Sequence, residues 1–263
     1  MEATEELANL LQQQEKYWQQ RAEQYWLALG DSNTKFFYLF ASARKRKNSF
    51  NKLRNENNQW CTWDDGLPNI ILSYFNDLFQ SRGYDGEYIF NCVLKKVTDE
   101  QNEFLTKPFE AHEIKEAIFF MHSDKASGPN RMNPCFFQQF WDLVGNDITE
   151  ACLFNLNNCF MPPSLNATSI CLISKTKQPE RMVDFRPITL CNVLYKIMAK
   201  TVANRLKSIL PSIISDTQSA FISDRSITNN AMIAFEVGHY LKRKRQGKVG
   251  VATLKMDMSK AYA

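Results

Sequence analysis

At Ser169 the apolar pattern changes period, and that change sets the fold class. Upstream, apolar residues recur at helical spacing. Ile114, Ala117, Ile118 and Met121 form an i, i+3, i+4, i+7 stripe, which predicts an amphipathic helix. Phe136, Phe137, Phe140, Trp141 and Val144 open a second helical region, expected to run on to Phe160 and to stop at Pro162-Pro163. From Ser169 onward, Ile170-Cys171-Leu172-Ile173-Ser174 reads as a short apolar strand with a basic exit at Lys175. Pro179 marks a turn, and residues 184–190 read as the hairpin partner. Leu194, Ile197, Met198, Val202, Leu206 and Ile209 then restore a helical stripe that is expected to stop at Pro211. A mixed helix over residues 229–244 follows. Val249, Val251, Leu254 and Met256 predict a terminal strand that delivers Asp257 at its end. Helices first, then strand, hairpin, helix, helix and strand is an α+β order, not a βαβ one.

The first third is built differently. Residues 3–29 are rich in Leu, Gln and Glu without Pro or Gly, so they predict a helix, stopped by Gly30-Asp31-Ser32-Asn33. Phe36, Phe37, Tyr38 and Phe40 precede the basic run Arg44-Lys45-Arg46-Lys47. Rings beside cations can stack on bases and neutralise phosphates, and the same rings can equally form a local core. Residues 55–60 read as a turn between two short strands, followed by a helix over residues 67–79. Thr98 with Gln101 has the spacing of a capping box. A linker at residues 83–86 and the period change divide the chain into three expected regions, 1–95, 96–162 and 163–263.

Composition narrows the class. The net charge of +4 is mild, but the cations cluster in Arg44–Lys47 and Lys242-Arg243-Lys244-Arg245. Such runs serve as phosphate contacts, import signals or solvated faces. Seven cysteines without a C-x-x-C pair, and three histidines apart from them, form neither a disulfide framework nor a zinc pattern. No signal-like start or long apolar run is present, so the expectation is an intracellular protein of nucleus or cytoplasm, not a membrane protein.

Five stretches in one order then resemble a single family. They are Trp26-Leu27 to Phe36-Phe37; Lys125-Ala126-Ser127-Gly128-Pro129 with Phe136-Phe137 and Phe140-Trp141; and Phe185-Arg186-Pro187-Ile188-Thr189-Leu190 with Tyr195-Lys196 and Ala203-Asn204-Arg205-Leu206. The fourth is Gln218-Ser219-Ala220-Phe221 with Arg225, Ile227 and Asn230, and the fifth is Lys255-Met256-Asp257-Met258-Ser259-Lys260-Ala261-Tyr262. Together they resemble the middle of a plant LINE-type (non-LTR) retrotransposon reading frame, ending at polymerase motif A of its reverse transcriptase. The resemblance implies a mainly helical N-terminal part followed by truncated right-hand polymerase fingers and palm.

The same resemblance implies roles. Asp257 is the catalytic, metal-binding carboxylate, holding Mg²⁺ with help from the Met258 backbone carbonyl. Arg186 and Lys175 clamp the triphosphate of a deoxynucleoside triphosphate, and Tyr262 gates against a 2′-OH. Lys125, Gln218, Phe221 and Arg225, with Arg44, Lys45, Arg46 and Lys47, meet the RNA template and DNA primer. Arg205 and Lys207 read as the polar face of a helix.

Departures from the family pattern are informative. Asn130-Arg131 stands where the family has Asp-Gly after Gly-Pro, and Ser223-Asp224 where it has Pro-Gly. Two-metal nucleotidyl transfer needs further carboxylates after Asp257. The one Asp-Asp pair, Asp64-Asp65, lies upstream in an apparent turn and reads as a polar loop or helix start. The expectation is therefore a reverse transcriptase fragment inactive by itself. The alternatives are a non-catalytic nucleic-acid-binding protein, or a reading frame that continues past Ala263 into a full enzyme.

Overall fold

The computed structural model describes residues 2–22, 34–80, 83, 87, 91, 96–220, 222–244 and 250–254. The chain forms two compact units, each assembled from three separate segments. The α+β expectation holds: helices predominate, with two short antiparallel sheets among the described residues.

The first unit comprises residues 1–78, 123–135 and 167–191. Helices α1 (Glu2–Ala22) and α2 (Thr34–Asn48) pair, with Trp18 edge-on to Tyr38 at 4.8 Å and Ala22 and Phe37 buried. Strands β1 (Lys52–Arg54) and β2 (Trp60–Thr62) pair antiparallel, Leu53 opposite Cys61. Their connection is the expected turn. The Asn55 side-chain oxygen accepts the Gln59 N–H at 2.9 Å, and Asn58 takes a left-handed φ of 63°. Asp64 and Asp65 lie in the turn leading to α3 (Leu67–Phe79), where Gly66 supplies a φ of 89° that favours glycine.

The hairpin of β3 (Thr168–Ser174) and β4 (Phe185–Cys191) completes this unit. Leu53, Leu67, Met182 and Phe185 form its buried centre, with Phe50, Ile70, Ile71 and Leu172 packed around them. The Arg54 N–H donates to the Glu180 carbonyl at 2.7 Å, tying the first hairpin to the turn of the second.

The second unit comprises residues 79–122, 136–166 and 192–263. It contains α4 (Asp99–Thr106), α5 (Ala111–Phe119), α7 (Trp141–Asn157), α8 (Pro163–Asn166), α9 (Val193–Ile213) and α10 (Ile227–Arg243). The short helix α6 (Pro134–Gln139) leads into it. Thr98 caps α4 as expected: its hydroxyl accepts the Gln101 N–H at 3.2 Å, and the Gln101 side chain accepts the Thr98 N–H at 3.1 Å. Ile114, Ala117 and Ile118 bury against Phe137, Ile148, Cys152, Val193, Ile197 and Met198. Burial of the Cys152 thiol pushes its pKa up to about 12.

Several boundaries differ from expectation. The helical region after Phe136 breaks at Phe140 and ends at Asn157, ahead of the prolines. Cys159 adopts a φ of 50°, and Phe160 N–H donates back to the Asn155 carbonyl at 2.9 Å, so a left-handed cap terminates the helix. Pro163 instead opens α8, where its missing N–H costs nothing. Pro211 does not stop α9. It sits in the last turn, and Ile214 N–H still reaches the Leu210 carbonyl at 3.0 Å. The buried stripe of α9 runs through Val193, Ile197, Thr201, Arg205 and Ile209, leaving Val202 and Leu206 exposed. Residues 250–254 form no strand, and Val251 and Leu254 are exposed. Helix α10 buries none of its residues among those described. No described helix is long and apolar enough to cross a membrane.

Candidate nucleic-acid interface

The β3–β4 hairpin presents two of the expected nucleotide-binding residues. Register sets Ile173 opposite Arg186, Cys171 opposite Ile188 and Leu172 opposite Pro187. Strand alternation then separates the faces. Phe185 and Leu172 face the core, whereas Arg186, Ile188, Cys171 and Ile173 share an open face. Arg186 is exposed and has no ion-pair partner among the described residues.

Lys175 is more constrained. Its ammonium donates to the Val183 carbonyl at 2.9 Å, and its N–H to the Asp184 carbonyl at 2.7 Å. The Asp184 carboxylate accepts the N–H groups of Arg181 and Glu180, both at 3.0 Å. Those hydrogen bonds, then the charges of Lys175 and Arg181, hold its carboxyl below the usual range. The hairpin tip is thus a fixed turn carrying cations.

The loop bearing Lys125 is closed by Cys135 N–H on the Ser123 carbonyl at 3.2 Å. Inside it, Gly128-Pro129-Asn130-Arg131 makes a turn, with Arg131 N–H on the Gly128 carbonyl at 2.9 Å. Arg131 holds a φ of 60° at the position where the resemblance implies glycine. Asp224, at the second departure, has a φ of 63°. Both positions are therefore left-handed turns filled by residues with a Cβ.

On α2 the basic run is exposed, and Arg44 lies over the Phe40 ring at 5.9 Å. Phe36 stacks on Phe40 at 6.2 Å. Lys45, Arg46 and Lys47 occupy the last helical turn, where cations complement the helix dipole.

In the second unit, Arg225 and Gln218 come together for a structural reason. The Arg225 guanidinium donates to the Ser215 and Gln218 carbonyls at 2.5 and 2.9 Å and pairs with Asp216 at 3.2 Å. Asn230 adds bonds to the Thr217 carbonyl and the Ser219 hydroxyl. These residues fold the loop before α10 onto itself. Phe221, Asp257, Met258 and Tyr262 lie outside the described residues. Among the described residues no group of three His, Cys, Asp or Glu side chains could hold a metal ion.

Arg205 is the residue that sequence reasoning misplaced. It is buried rather than on a polar face. Its guanidinium meets Glu113 at 2.6 and 2.7 Å, and donates to the carbonyls of Leu105, Lys107 and Pro108. Phe109 lies across it at 3.8 Å. The Arg205 hydrogen bond is the main reason the Glu113 carboxyl is held below its ordinary range. The available signal was the spacing: Arg205 falls four residues after Thr201 and four before Ile209, on the buried stripe.

Residues 173–263, from the end of β3 onward, match the family described as reverse transcriptase (RNA-dependent DNA polymerase). Over 264 aligned residues and 100% of its length, the chain is 25% identical to the transposon TX1 uncharacterized 149 kDa protein of Xenopus laevis. It spans 20% of that relative. Residues 173–263 are thus similar to a reverse transcriptase domain, and the chain as a whole is similar to part of a transposon protein. Reverse transcriptases use divalent metal ions, a nucleic-acid template and nucleotide substrates.

Proposed function

We propose that the chain is the fingers-side part of a reverse transcriptase of plant LINE type, and that it binds template-primer and the incoming deoxynucleotide. The observation that supports this best is Arg186, exposed on the open face of a hairpin whose other face is anchored in a core. A guanidinium fork so placed suits bidentate contact with phosphate. Lys175 and Lys125 are the further cations of this reading, with Arg44–Lys47 on the template or primer backbone. Gln218 and Arg225 contribute by shaping their loop, and Phe221 by stacking. Asp257 and the Met258 carbonyl are hard oxygen donors that suit Mg²⁺, the ion that polarises phosphoryl oxygens. Tyr262 excludes the 2′-OH. By this reading residues 1–95 link to a preceding region, 96–162 precede the fingers, and 163–263 hold fingers and first palm strand.

A second reading, nucleic-acid binding through α2 alone, has its own observation in the exposed run beside the stacked Phe36 and Phe40. Fluorescence anisotropy with a labelled RNA–DNA primer-template separates the two. Arg186→Gln should weaken binding several-fold and abolish any effect of added deoxynucleotide. Neutralising residues 44–47 should lower the salt slope by about 3, at about 0.7 per phosphate contact on single strands. Salt-independent binding, indifferent to both changes, refutes the proposal.

A further inference from the structure

The first unit contains a cleft of about 760 Å³ between the β1–β2 turn, α3 and the short turn Met182–Asp184. Nothing in the reverse transcriptase reading uses it, and two of its three walls lie before the matched residues. Its size falls within the range of small-ligand sites. We propose that this cleft binds a single unpaired purine nucleotide.

The lining supports each part of such a ligand. Ile70, Met182 and Val183 provide apolar surface, with Tyr74 beside them, so a flat ring can leave water there. Asn57 and Asn69 add side-chain amides to the lining, while the Asn55 amide is engaged by Gln59 within its own turn. An amide offers a donor and an acceptor side by side, which is the pattern on the edge of adenine; a guanidinium matches the paired acceptors of guanine. Pyrimidines are smaller and present no such five-membered-ring edge.

One corner is prepared for a phosphate. Arg54 and Arg181 both donate to the single side-chain oxygen of Asn58, at 3.0 and 3.3 Å. Arg54 also lies 4.7 Å from the Trp60 ring and pairs with Glu180 at 3.1 Å, so its guanidinium is held in place. Asn58 reaches both arginines because it takes the left-handed turn position, φ 63°. Two cations fixed on one neutral oxygen keep further N–H groups for an anion.

Charge balance restricts the ligand further. Glu56 and Asp77 line the same cleft, and Glu180 offsets Arg54. The walls are therefore not net cationic. A bare phosphate or a duplex backbone gains little there, whereas ribose hydroxyls can donate to the carboxylates. The ligand that uses rings, amides, carboxylates and arginines together is a ribonucleotide with one phosphate.

Isothermal titration of the full chain with AMP, GMP, CMP, UMP and inorganic phosphate tests this. A purine monophosphate should bind at least tenfold more tightly than both pyrimidine nucleotides, and inorganic phosphate should not displace it. Asn69→Leu, on the exposed side of α3, should fill the cleft and reduce purine affinity at least tenfold, as should Arg181→Gln. Arg186→Gln should leave it unchanged, which separates this site from the hairpin. A short pyrimidine oligoribonucleotide carrying one adenosine, binding more tightly than AMP, identifies the ligand as an unpaired strand residue; the reverse order identifies a free nucleotide. Equal affinity for all four nucleotides overturns the proposal, as does displacement by phosphate. So does undiminished affinity in Asn69→Leu with an unchanged circular dichroism spectrum.

Discussion

Arg205→Met should be the most damaging single substitution in the second unit. Methionine keeps much of the reach but deletes five hydrogen bonds, two to Glu113 and three to backbone carbonyls. The carboxylate of Glu113 is then left in a site where only 18% of its side chain is exposed. Removing one partner of a buried pair costs about 3–5 kcal/mol. Glu113 retains some solvent, which favours the low end, while three carbonyls losing their donor push the cost upward. A loss of about 3–4 kcal/mol is a large share of a typical domain stability of about 5–15 kcal/mol. Arg205→Lys should lose about half as much, since an ammonium keeps the charge but cannot span a fork. Urea unfolding followed by circular dichroism measures both. The Glu113 carboxyl sits below its ordinary pKa, so its contribution is complete above that value and fades as pH falls through the lowered one. The parent protein should therefore lose stability on acidification more steeply than Arg205→Met. A loss under about 1 kcal/mol, with parallel acid profiles, would refute the picture of a buried hub.

Two further changes test the turns and the packing. Arg131→Gly should raise the melting temperature by about 1–3 °C, because relieving a left-handed Cβ returns about 1–2 kcal/mol and glycine's extra chain entropy takes back about 0.5–1 kcal/mol. Asp224→Gly should gain less, since aspartate tolerates that region better. Gly145→Ala should lower thermal stability despite alanine's helix propensity. Its Cβ would stand 2.7 Å from the Trp141 ring, which is itself edge-on to Phe119, and overpacking costs about 1–3 kcal/mol.

What could be read from the sequence was local. The turn between β1 and β2, helix α3, the cap at Thr98 and the stripe on α5 depend on neighbours within a few residues, and all appear where spacing placed them. The hairpin that carries Arg186 was legible for the same reason, through the change of period at Ser169. Arg205 was not, because its partners lie more than ninety residues away and three of them are carbonyls that any residue type provides. Arg225 resembles it: carbonyl acceptors at Ser215 and Gln218 leave no trace in residue identity. Helix ends were misread wherever a positive φ, at Cys159, did what the prolines were expected to do. A strand was expected before Asp257, yet residues 250–254 pair with nothing described, since alternation alone supplies no ladder partner.

The interrupted make-up of the first unit has a consequence during synthesis. Leu53 and Leu67 leave the ribosome with a sticky face, and the residues that cover it, Met182 and Phe185, arrive far later. At about 5–20 residues per second, roughly 120 intervening residues take about 6–24 s to translate. For that interval the nascent N-terminal third is held open by its own topology. Contacts this distant in sequence also close slowly once available. The time window in which a chaperone must guard this chain is thus written into where β3 and β4 fall along it.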